Sequence, residues 1–282
     1  MSQWKPLGLI ASGRMTSSLL LRRPALSRHL GPVVAPDRRL AARYSNSLRA
    51  GTAAPVEELH GAGLVLVHAD SAGLARLLPM LAGAGPWRGS HFALLSPDLD
   101  ATALAPLRAT GARVCSVATA PARGRDLAVV EGDRRAVLLA KQWLQEGHMR
   151  CLELAPGRKA LFQLGLLSAR GLMAPLLDAA LMSLRAAGLS ASEARRLLYE
   201  TADASVRAFA ARGRKALEDP LGETRMAVLE KGLVEAARYR QPLAEFLADV
   251  LEAVGRFHAP AAAAETREDS GVPGRAASIH QV

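Results

Sequence analysis

Residues 7–21 read Leu-Gly-Leu-Ile-Ala-Ser-Gly-Arg-Met-Thr-Ser-Ser-Leu-Leu-Leu: an apolar run of strand length, a turn around Gly13 and the start of a helix. Backbone N–H groups exposed at such a turn can take up a phosphate, helped by the partial positive charge of the helix N-terminus. Ser12, Gly13, Arg14, Met15 and Thr16 are the residues placed for this chemistry. Gly13 lets the backbone approach an anion, Arg14 can cover it, and Thr16 can donate a hydroxyl. In the G-x-G-x-x-G frame of dinucleotide-binding turns the three positions fall on Ala11, Gly13 and Thr16, so only the middle glycine is kept.

A second group follows the next apolar run. Asp37, Arg38 and Arg39 stand after Pro32-Val33-Val34-Ala35, where a dinucleotide-binding domain meets the adenosine ribose. An acid there takes the 2′-hydroxyl of NAD, and an arginine accommodates the 2′-phosphate of NADP. Both chemistries are present, with NADP slightly favoured by the arginines. Asp37 serves equally well as the N-cap of a following helix, with the arginines in solvent. His68 and Ala69 end the run Leu64-Val65-Leu66-Val67, and Ser96 ends Phe92-Ala93-Leu94-Leu95. All three lie at carboxyl ends of expected strands, where parallel sheets bind ligands. A lone histidine at such a place is also a common hydrogen-bonded structural residue.

The elements that must hold these residues alternate. Apolar runs at 7–10, 32–35, 64–67, 92–95, 114–117, 127–130 and 149–154 read as strands, and the segments 16–21, 40–48, 71–81, 101–109 and 133–145 as helices. Residues 51–55 read as a turn. Uninterrupted apolar strands separated by helices predict a mostly parallel α/β sheet covered on both faces. At Ala155-Pro156-Gly157 the pattern changes. Helical spacing holds from 158 to 187 with a kink expected at Pro175, Gly188 stops that helix, and Ser190 with Glu193 forms a capping box for the next. Further helices are expected at 223–238 and 242–258. The chain thus reads as an α/β domain at 1–155, an all-α domain at 156–258 and a disordered tail at 259–282.

Composition narrows the function classes. Half of the 282 residues are hydrophobic, enough for a substantial core. The net charge of +10 is concentrated early: residues 1–60 carry nine Lys/Arg against Asp37, Glu57 and Glu58. No aromatic-basic interleaving accompanies it, so nucleic acid is not the expected partner. No stretch is read as apolar enough to span a bilayer, and Cys115 and Cys151 lack metal-site or disulfide spacing. A soluble, cytoplasmic protein is the expectation. The first thirty residues contain no acid and imitate a transit peptide, but the strand at 7–10 is needed by the sheet, so they are expected to be retained.

The order of these parts resembles a known family. It is carried by Gly8-Leu9-Ile10-Ala11-Ser12-Gly13-Arg14-Met15-Thr16, by Leu64-Val65-Leu66-Val67-His68-Ala69-Asp70, and by Leu95-Ser96 leading through Leu104-Ala105-Pro106-Leu107 to Gly111-Ala112-Arg113-Val114. It continues in Val130-Glu131-Gly132-Asp133 and Lys159-Ala160-Leu161-Phe162. The family is that of Rossmann-like oxidoreductases with a helical C-terminal domain, related to ketopantoate reductase, pyrroline-5-carboxylate reductase and the 6-phosphogluconate and 3-hydroxyacid dehydrogenases. The resemblance implies NAD(P)-linked hydride transfer on a small polar substrate in an interdomain cleft, and a homodimer formed through the helical domain. It also implies that Lys159, near the start of the long helix, is the acid/base group, since desolvation lowers a lysine pKa towards neutrality. Gln163 is a candidate hydrogen-bond donor to substrate. The chain departs from the family at Ala11 and Thr16. It has Ala118-Thr119 where the subgroup tends to carry His-Pro, and Phe162 and Gln163 where the dehydrogenases carry paired asparagines. Two functions follow: an NAD(P)-dependent oxidoreductase, or a non-catalytic descendant that keeps the fold as a nucleotide sensor or scaffold.

Overall fold

The protein is described by a computed structural model that covers residues 6–14, 18–120, 127–217 and 223–258. The expected tail at 259–282 lies outside the described residues, as do Met15 and Thr16. Two compact units divide the chain, residues 1–168 and 169–282.

The first unit is built on an eight-stranded sheet: β1 (Leu7–Ala11), β2 (Leu30–Val34), β3 (Thr52–Ala53), β4 (Leu64–His68), β5 (His91–Leu95), β6 (Arg113–Ala120), β7 (Leu127–Gly132) and β8 (Arg150–Glu153). Their order across the sheet is β3-β2-β1-β4-β5-β6-β7-β8, and every pair is parallel except β6 with β7. This is the α/β, Rossmann-like sheet that the alternating pattern predicts, extended by an antiparallel strand and a last parallel one.

β1 and β4 are central because their side chains are apolar on both faces. Leu7, Leu9, Ala11, Leu64 and Leu66 enter one core layer with Val33, Tyr44 and Trp143. Ile10, Val65 and Val67 enter the opposite layer with Leu77, Trp87 and Phe92. The alternation is the two-residue period of a strand. Helices α2 (Arg38–Leu48) and α5 (Arg134–Glu146) supply residues to the first layer, and α3 (Ser71–Gly83) and α4 (Ala105–Ala109) to the second.

Three details differ from the sequence expectation. The residues read as a turn contain β3, two residues long and too short to show a period. The helix expected from residue 16 is a single turn, α1 (Leu19–Arg22), capped by the Ser18 hydroxyl and followed by Pro24, which opens a 3₁₀ turn instead of extending it. The unit boundary falls after residue 168, so the first unit keeps α6 (Lys159–Leu167).

α6 continues through a wide π turn at Ser168–Leu172 into α7 (Met173–Ala186). The irregularity lies one turn before Pro175, whose missing N–H and ring disturb the carbonyl four residues back. The resulting helix, Lys159–Ala186, is 28 residues long with a mean hydropathy of 1.4 over its most apolar window. By length and composition it could cross a membrane, which corrects the expectation that no segment could. Arg170 and Asp178 break its apolar run into shorter pieces in the sequence and so hide its overall length.

The second unit holds α7, α8 (Ala191–Arg212), α9 (Glu223–Tyr239) and α10 (Gln241–His258), with no strand among the described residues. Gly188 at φ 95° follows α7, and Ser190 and Glu193 form the expected reciprocal cap of α8.

Candidate active site

The sheet order reverses between β1 and β4. Connections leaving them pass to opposite faces, opening a crevice at their carboxyl ends. The chain leaves β1 with the Ser12 amide still donating to His68 O at 2.9 Å, then turns at Gly13, whose φ of 94° is a left-handed value that glycine adopts without strain. Among the described residues, a Cβ on Gly13 would meet nothing within 4 Å.

Two side chains hold the turn from different elements. Tyr44, on the buried face of α2, donates its hydroxyl to Gly13 O at 2.6 Å. His68, at the end of β4, places Nε2 3.2 Å from Arg14 O. A carbonyl only accepts, so Nε2 carries the proton in this contact. Burial pushes the His68 pKa below 6.5, partly countered by the Arg14 carbonyl and by Asp70. The neutral ring therefore serves at neutral pH. Burial, with help from Asp37, raises the Tyr44 pKa and keeps the phenol a donor.

Beside the turn, a cleft of about 330 Å³ is lined by Ser18, Leu19 and Arg22, by His68, by Leu95, Ser96 and Pro97, and by Val117, Ala118 and Thr119. Arg22 Nη2 donates to Thr119 Oγ1 at 3.3 Å. Leu19, Leu95, Pro97, Val117 and Ala118 make much of this lining apolar, and Arg22 brings a cation to it.

The structure brings Ser12, Gly13, Arg14, His68 and Ser96 to this one end of the sheet. Ala69 is buried in the layer beneath, with Val67 and Leu74, so its methyl belongs to the core. Asp37 caps α2, accepting from the Leu40 amide at 2.7 Å, and Arg38 is exposed in the first turn of that helix. The capping alternative for Asp37 is thus realised, and it leaves Arg38 free to meet solvent or a ligand.

Lys159 is 2% exposed. Its Nζ donates to Ser96 O at 2.5 Å, Leu99 O at 2.6 Å and Ser116 Oγ at 3.2 Å. Desolvation lowers its pKa to about 8 against the opposing pull of Glu131, Asp100 and Asp98. Gln163, one turn further along α6, donates to Pro97 O at 3.1 Å. Sequence reasoning missed Tyr44, Ser18, Arg22 and Glu131 as parts of this region. Tyr44 carries a signal in retrospect, since it is the one aromatic on that helix.

No family model matches this sequence, and no curated protein matches it. Solved structures do resemble the fold. An imine reductase from Bacillus cereus is 18% identical with a TM-score of 0.65, over 94% of this chain and 99% of that one. A reductive aminase from Aspergillus terreus, in complex with NADPH and ethyl-5-oxohexanoate, is 16% identical with a TM-score of 0.61, over 90% and 95%. A variant imine reductase from Myxococcus stipitatus, in complex with NAD+, is 17% identical with a TM-score of 0.66, over 90% and 94%. The chain has the fold of these reductases. The likeness spans both the sheet and the helical half.

Proposed function

We propose that this protein is an NAD(P)-dependent oxidoreductase acting on a small polar substrate. The observation that carries the reading is the left-handed turn at Gly13, held by Tyr44 and His68 and set beside a cleft at the reversal point of the sheet. The structurally similar reductases with NADPH or NAD+ support it.

The backbone around Gly13 and Arg14 would hold the pyrophosphate, with Ser12 beside it. α1 is a single turn, so its dipole adds little. Backbone amides and Arg14 would carry most of that contact. Asp37 and Arg38 stand at the ribose end, with NADP slightly favoured because the Asp37 carboxylate already caps α2. A bound nicotinamide would supply or accept the hydride. Arg22 and Thr119 offer donors to an oxygen or carboxylate of the substrate. The exposed leucines Leu161, Leu164, Leu167 and Leu172 leave an apolar face on the long helix. A second copy of the chain covers that face in this proposal, with a dimer mass in light scattering as its check and a monomer mass as its refutation.

The test is consumption of NADPH or NADH with small keto acids, aldehydes and cyclic imines. Turnover with any of them supports the reading. Cofactor binding without turnover would favour the non-catalytic alternative, whose supporting observation is that all three ammonium protons of Lys159 are already engaged.

A further inference from the structure

The segment 96–99, which brings Ser96 and Pro97 to the cleft wall, is held from behind. Ser96 Oγ accepts the amides of Asp98 and Leu99, both at 3.3 Å. Lys159 takes Ser96 O and Leu99 O, Gln163 takes Pro97 O, and Glu131 Oε1 accepts the Ala101 amide at 2.6 Å. Glu131 is 1% exposed, and its carboxylate also accepts from Ser116 Oγ at 2.7 Å and from the Gly157 amide at 3.0 Å. One continuous network therefore ties the residues just before α6, and its first two turns, to the segment after β5.

An ammonium group has three N–H donors, and Lys159 spends one on each of three protein acceptors. To give a proton to a substrate it would have to abandon one of them inside a dry site. The fixed position of two carbonyls and a buried carboxylate is what the group supplies as it stands. We propose that Lys159 and Gln163 are positioning residues that set the segment 96–99 at the cleft wall, rather than groups that touch the substrate. The inference rests on the cleft being the cofactor and substrate site proposed above.

Its test uses the full chain and two variants, Lys159→Met and Gln163→Ala, read by hydrogen–deuterium exchange and by titration with NADPH. In Lys159→Met the amides of Asp98, Leu99 and Ala101 should exchange about tenfold faster, with β1 and β4 unchanged, and NADPH affinity should fall about tenfold. Gln163→Ala, which loses one half-exposed hydrogen bond, should show about threefold changes in both and remain folded. A role in overall stability alone would accelerate exchange in β1 and β4 equally and leave the affinity of the folded protein intact. A proton-donor role would abolish turnover in Lys159→Met while leaving its NADPH affinity at the wild-type value. Either pattern overturns the proposal. If Lys159→Met does not fold, unchanged exchange and affinity in Gln163→Ala overturn it. If the wild-type protein binds neither NADPH nor NADH, the functional reading fails while the exchange pattern at 98–101 still decides the positioning role.

Discussion

The Lys159 ammonium and the Glu131 carboxylate, both almost fully buried, meet through Ser116, which accepts from Nζ at 3.2 Å and donates to Oε1 at 2.7 Å. Opposite charges joined by a hydroxyl avoid an unpaired buried ion, although each still bears a desolvation cost.

That cost gives a pH signature. Burial lowers the Lys159 pKa from 10.5 to about 8, against Glu131, Asp100, Asp98 and Cys115, which all favour the charged form. Between these values the unfolded chain binds more protons than the folded one, so stability rises with pH. The Lys159 contribution is complete above 10.5 and is lost as pH falls through about 8. Denaturant titrations from pH 7 to 10.5 should show wild type gaining on Lys159→Met by roughly 1 kcal/mol per pH unit in that window. Parallel pH profiles for the two proteins would contradict it.

Tyr44→Phe keeps the buried ring and removes only the bond to Gly13 O. A loss of about 1 kcal/mol in stability is expected by chemical denaturation. The Gly13 turn should loosen as well, and on the proposed function NADPH binding should weaken about fivefold in a fluorescence titration. Full affinity in the variant would remove Tyr44 from the site.

Gly132 closes β7 at φ 129°, opposite Cys115 of the antiparallel partner strand. A Cβ there would lie 2.5 Å from Val114 O and 2.7 Å from Cys115 Cα. Both obstacles are backbone and cannot rotate away. Gly132→Ala should cost about 2 kcal/mol or more, read as a lower denaturation midpoint.

The sheet was largely legible because its central strands are apolar at every position and its helices fall between them. β1, β4 and β5 start within a residue of the runs read from sequence. β3 was not legible, since two residues carry no period. The direction of β7 was legible in principle: too few residues separate it from β6 for the crossover that a parallel pair needs. The site divides in the same way. Gly13, His68 and Ser96 lie at or just beyond strand ends, so their position in the fold follows from local spacing. The partners of Lys159 are carbonyls about sixty positions away and a serine on β6, and no local pattern announces them. A resemblance pointed to Lys159 as an acid/base group, while its burial and saturation by acceptors are products of tertiary packing.

The most direct test of the account is the thermal stability of the full chain with NADPH and with NADH. A ligand that binds the native state stabilises it by mass action, about 2.7 kcal/mol at a hundredfold excess over Kd, which is a shift of several degrees for a protein of this size. A clear rise with either nucleotide, larger with NADPH, is the predicted result. No shift with either at millimolar concentration would contradict the claim that the Gly13 turn is a dinucleotide site.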